Sequence, residues 1–138
     1  MVGRTVHGEW DMKFEGRILR SKLSGSTNKE AVQVWFDEMY QLLYSSPDKD
    51  LVPWCALMDA RDWGMAPLDA WEANNQLINW MSQHNCVLFS AVFSKKIQLF
   101  SAENGFDTQG IVEFFFDYGK AYQACLYKLA KTQNSRKT

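Results

Sequence analysis

Two short, nearly unbroken apolar runs, Trp54–Met58 and Cys86–Phe93, constrain this chain more than any other feature of its sequence. A half-exposed strand alternates apolar and polar residues. A run without alternation fits a central strand covered on both faces, as in a parallel sheet packed by helices. Parallel neighbours cannot be joined by a hairpin, so a crossover helix must lie between the two runs.

The flanking sequence supplies those helices. Thr27 and Glu30 form an S/T-x-x-E capping box ahead of Ala31, Val32, Trp35, Phe36, Met39, Leu42 and Leu43. These recur at intervals of three and four and make one apolar helix face, ended by Ser45-Ser46-Pro47-Asp48. After Asp59, a loop over Ala60–Pro67 leads to a helix starting at Leu68. Its buried face is expected to carry Leu68, Trp71, Leu77, Ile78 and Met81, with Asn85 closing it. Lys95–Phe100 reads as a short helix, Asn104-Gly105 and Gln109-Gly110 as loop, and Ile111–Phe116 as the last strand. Asp117 caps a final helix bearing Ala121, Cys125, Leu126 and Leu129.

At the front, residues 6–14 alternate, with Val6, Gly8, Trp10, Met12 and Phe14 on one side. A second strand carries Leu19, Ser21 and Leu23 on one face and Arg20 and Lys22 on the other. The Glu15-Gly16 connection joins the two strands as a hairpin. The order is therefore β-β-α-β-α-β-α-β-α. This predicts a single-domain α/β fold over residues 1–130, with a mixed, mostly parallel five-stranded sheet and about four helices. Residues 131–138 are expected to be a frayed, polar and basic tail.

Composition narrows the function. Fifteen Lys and Arg stand against 16 Asp and Glu in 138 residues, which gives no electrostatic case for nucleic acid. Cys55, Cys86 and Cys125 sit among apolar neighbours with no CxxC pair, so buried thiols are expected rather than a zinc or redox site. No metal and no cofactor is expected. The start, Met1-Val2-Gly3-Arg4-Thr5, has no apolar signal region and no run is long enough to span a membrane, so a cytoplasmic location is expected.

Three segments carry a resemblance to the STAS-like domain, typified by the bacterial anti-sigma-factor antagonist SpoIIAA and its SpoIIAA-like relatives. Trp54-Cys55-Ala56-Leu57-Met58-Asp59 resembles the central strand ending in Asp. Val87-Leu88-Phe89-Ser90-Ala91-Val92-Phe93 resembles the next strand. Val112-Glu113-Phe114-Phe115-Phe116-Asp117, with Ala121, resembles the last strand and closing helix. The resemblance covers roughly residues 8–130. It implies a regulatory or binding domain rather than an enzyme. In the phosphorylated antagonists of that family, the loop after the central strand carries an Asp-Ser-Ser-Gly type segment. The matching stretch here, residues 60–71, holds no Ser, Thr or Tyr, so a phosphate switch is unavailable at that place.

The Asp59–Trp71 stretch leaves the carboxyl end of a strand, where ligands of α/β sheets gather. Asp59, Arg61, Asp62, Trp63, Met65 and Trp71 are the candidate site residues. Arg61 can clamp a carboxylate or phosphate through its fork of donors, or pair with Asp59 or Asp62. Trp63 can stack on a ligand, or simply lid the core. His7 and His84 show no metal or triad spacing, and no G-x-S-x-G elbow supports a hydrolase.

The leading reading is a non-enzymatic regulatory or protein-interaction domain. The alternative is a binder of a small apolar or amphipathic ligand in an aromatic-lined pocket. A homodimer is also expected. On the second helix Trp71 and Trp80 fall on different faces, so one of them is left to be covered by another surface. The first strand is a candidate sheet edge.

Overall fold

The computed structural model describes residues 6–45, 53–107 and 110–137, with side chains to Thr132. Met1–Thr5, Ser46–Asp48 and Gln109, which the sequence reading assigns, lie outside these residues. Strands β1 (Glu9–Glu15) and β2 (Ile18–Gly25) form the expected antiparallel hairpin. Its two-residue turn holds Gly16 at φ 59° and Arg17 at φ 63°, the left-handed pair that a right-twisted ribbon requires. Helix α1 (Lys29–Tyr44), β3 (Trp54–Trp63), α2 (Leu68–Gln83), β4 (Cys86–Val92), α3 (Lys96–Gly105), β5 (Val112–Phe115) and α4 (Tyr118–Lys137) follow.

The sheet runs β1-β2-β3-β4-β5, with β2 to β5 parallel. Each crossover steps one strand further in the same direction. Right-handed crossovers must then place α1, α2 and α3 on one face. Their residues Trp35, Met39, Leu77, Met81 and Ala102 share one core with Leu19, Ala56 and Phe89 of the sheet. Helix α4 covers the opposite face, where Ala121, Cys125 and Leu129 pack on Ile18, Cys55, Leu57 and Val92. Both runs first read as central strands are thus covered on both sides. All three cysteines are buried free thiols.

Several local expectations are corrected. The cap of α1 is Asn28, whose side chain accepts from Ala31 N, and not Thr27. The Thr27 hydroxyl is already taken: it accepts from Trp63 Nε1 at 3.2 Å. The loop expected at Ala60 is strand as far as Trp63, because a bulge lets pairing with β2 resume at Ser24↔Asp62 and Gly25↔Trp63. Helix α3 is longer than expected and takes in Asn104 and Gly105. The expected tail is helical to Lys137. Leu68, assigned to the buried face of α2, is 74% exposed, because it lies about 160° around the helix from Ala70, which is 1% exposed and faces the core. Leu126 is likewise exposed on α4.

Trp80 is covered within the chain. Phe36 meets it edge-on at 5.2 Å, Tyr40 lies at 5.9 Å, and the His84 ring stacks on it at 4.0 Å. Helix α1 therefore takes the place that the sequence argument gave to a second copy.

Candidate functional site

Four parallel strands and the helices after them bring the candidate residues to the carboxyl end of the sheet. The sheet then divides them. Strand alternation sends Asp59 to the α4 face with Cys55 and Leu57. Arg61 follows it there after the bulge, with its guanidinium 5.4 Å from the Tyr118 ring of α4. Both oxygens of Asp59 are held by Arg61: Oδ1 accepts from the backbone N at 3.2 Å and Nε at 2.9 Å, and Oδ2 from Nη2 at 2.8 Å. The Asp59 side chain is 8% exposed and that of Arg61 46%. The hydrogen bond from Arg61 holds the Asp59 carboxyl below its ordinary range, against the upward push of burial. Asp62 lies 3.7 Å from Lys22 Nζ at the surface. The fork foreseen for a ligand is therefore closed on the chain's own carboxylate.

Trp63 and Trp71 belong to the other face. Trp63 is buried and meets Trp71 edge-on at 5.8 Å. Together with Trp35, Phe89, Phe93 and Phe106 they line a cavity of about 80 Å³ between the sheet and α1 and α2. Its polar lining is Thr27, engaged by Trp63, and Asn74, for which no hydrogen bond is found among the described residues. Met65 is half exposed and stands outside this cavity. Its Sδ lies 3.6 Å from Ser101 Oγ of α3.

The links at this end are laced together. Gly64 N donates to Gly25 O, Thr27 N to Met65 O, and Met65 N to Ser26 Oγ. Sequence reasoning missed the residue that joins α3 to this assembly. Gln98 is 2% exposed. Its Oε1 accepts from Ser94 N at 2.8 Å and Lys95 N at 3.0 Å, and its Nε2 donates to Trp63 O, Ala60 O and Arg61 O at 2.7, 3.2 and 3.1 Å. A signal was present: Gln98 stands at the third position of a helix, where Glu or Gln reaches back to the cap.

No family model and no curated protein sequence matches the chain. Among solved structures, one similar chain is an uncharacterised DUF3478-family protein from Shewanella loihica described as having a SpoIIAA-like fold. It is 17% identical with a TM-score of 0.57, over 91% of this chain and 98% of that one. The fold is SpoIIAA-like. An anti-sigma factor antagonist from Mycobacterium paratuberculosis is also similar, at 10% identity and a TM-score of 0.56, over 86% of this chain and 94% of that one. In this SpoIIAA-like domain the order of elements along the chain, the mixed sheet and the four helices agree with the sequence expectation. Among the described residues, no helix is long and apolar enough to cross a membrane, and no three His, Cys, Asp or Glu cluster to hold a metal.

Around the carboxyl end, large apolar side chains face solvent. Leu68 begins α2, Met65 touches α3, and Ile97 and Phe100 lie one turn apart on α3, with Phe100 63% exposed. Sequence reading placed Ile97 and Phe100 on a short helix. It gave no sign that the buried contact of that helix is the polar Gln98.

Proposed function

We propose that this chain is a non-enzymatic STAS-like regulatory domain that binds a protein partner at the carboxyl end of its sheet. The observation that carries the reading is the exposed apolar group of Met65, Leu68, Ile97 and Phe100, held on a hydrogen-bonded framework. Large apolar side chains exposed together at one end of a sheet, with Met65 held against α3, fit an interaction site. The similarity to an anti-sigma factor antagonist supports a regulatory role. The Asp59–Arg61 pair serves here as a brace that keeps β3 extended to Trp63, and partner binding proceeds without a phosphorylated hydroxyl in residues 60–71.

The test is quantitative capture from the native host, comparing the unaltered chain with an Ile97→Glu/Phe100→Glu variant and a Lys128→Ala control on the exposed side of α4. The reading expects a defined protein set that is lost only with the α3 variant. Identical profiles for all three would refute it.

A second reading, a binder of a small apolar or amphipathic ligand, is favoured by the aromatic cavity. Asn74 would meet a single polar head while the rings hold an apolar body. The volume is below that of engineered cavities that accept benzene, so the ligand would be about one ring in size or would partly protrude. Native mass spectrometry decides this: a retained mass that Trp71→Ala loses supports it, and a bare chain under gentle conditions counts against it.

A further inference from the structure

Strand β1 is an edge. Its inner side pairs with β2, and among the described residues nothing pairs with its outer side. The tight hairpin fixes which groups point outward. Glu15↔Ile18 closes the turn as a hydrogen-bonded pair, so Lys13, Asp11 and Glu9 also bond inward. Trp10, Met12 and Phe14 are left with N–H and C=O turned to the free edge. The same three carry the half-buried apolar side chains of the strand, while Glu9, Asp11, Lys13 and Glu15 face the other way.

We propose that this edge pairs antiparallel with β1 of a second copy, about a two-fold axis at Met12. Three registers join the outward-facing groups: those centred on Asp11, on Met12 and on Lys13. The first sets Asp11 against the partner's Asp11 and Lys13 against the partner's Glu9, but joins only Trp10 and Met12 of the outward-facing residues. The last sets Lys13 against the partner's Lys13 and Asp11 against the partner's Glu15. The Met12 register sets Asp11 against the partner's Lys13, twice by symmetry, and it alone joins all three outward-facing residues of each strand. It also sets Trp10 against the partner's Phe14 on the apolar face. The Asp11–Lys13 positions are non-hydrogen-bonded pairs, where side chains approach most closely. Opposite charges and aromatic pairs at such positions are favourable. Glu9 faces the partner's Glu15 only at the ends of the ladder, where solvent screens them. About six main-chain hydrogen bonds form along the joined edges. The two sheets become one, and an exposed edge, otherwise open to indiscriminate pairing, is covered. A strand-sized interface is small, so the dimer dissociates in the micromolar range or above.

Sedimentation equilibrium from micromolar to millimolar concentration tests the proposal. The unaltered chain should approach twice its 16.0 kDa mass. Asp11→Lys and Lys13→Asp should each weaken association about tenfold, since two attractive pairs become repulsive. Mixing the two variants should restore it, because one chain then carries lysine at both positions, its partner carries aspartate at both, and both cross-strand pairs are attractive again. Circular dichroism on each variant confirms folding, and the mixture remains decisive even if one variant is less stable. A chain that stays monomeric throughout overturns the proposal. So does a dimer that neither substitution affects, or a mixture no tighter than its components.

Discussion

Replacing Gln98 by leucine should loosen the join between β3 and α3 far more than its single side chain suggests. The amide makes five contacts with backbone groups of Ala60, Arg61, Trp63, Ser94 and Lys95. Leucine has similar volume and no polar atoms, so the change leaves those groups behind without opening a large cavity. Its bonds to Ala60 O and Trp63 O are buried, so those two carbonyls lose their amide partner away from water. An unsatisfied buried group costs about 1–3 kcal/mol, while the part-buried groups can turn to solvent. The expected loss is about 3–4 kcal/mol, a large part of the usual 5–15 kcal/mol of a domain. Urea unfolding followed by tryptophan fluorescence measures it as a lowered midpoint at nearly unchanged slope. Gln98→Glu keeps the acceptor side and loses the donor side, so it should also destabilise. A loss below about 1 kcal/mol for Gln98→Leu would refute the clasp argument.

Three further outcomes follow from the same structure. Asp59→Asn should cost about 1 kcal/mol at neutral pH. The carboxyl is depressed in the fold, so its contribution is present above the unfolded value near 4 and lost as pH falls through the folded one; urea midpoints at neutral and acid pH should converge with the variant only in acid. Gly105→Ala would gain about 1 kcal/mol from helix propensity in open space, but its methyl would fall inside the Trp71 ring, so the melting temperature should drop; a rise would refute the contact. Burial pushes the Cys86 thiol up to about 12, and hydrogen bonding with Cys125 together with burial raises Cys55, so a thiol reagent should react with the native chain only as it unfolds; a fast native phase would contradict this burial.

The sequence made the fold legible because burial on both faces leaves a direct trace, as in Trp54–Met58 and Cys86–Phe93. The site was less legible. Asp59, Arg61 and Trp63 are near neighbours in sequence, yet strand alternation and one bulge put the ion pair and the indole on opposite faces. A bulge is a fact of hydrogen-bond register and has no composition of its own. Leu68 and Trp80 show the same limit: an apolar residue's pattern says that it can be buried, and only the neighbouring element decides whether it is. Gln98 was overlooked because its partners are backbone carbonyls contributed from a distant strand.

Photo-crosslinking from position 100 in the native host tests the central claim most directly. A photoreactive residue in place of Phe100 should yield one dominant protein adduct, and the same residue in place of Lys128 on α4 should not. No protein adduct at position 100, or the same adducts from both positions, would contradict a partner-binding surface at the carboxyl end of the sheet.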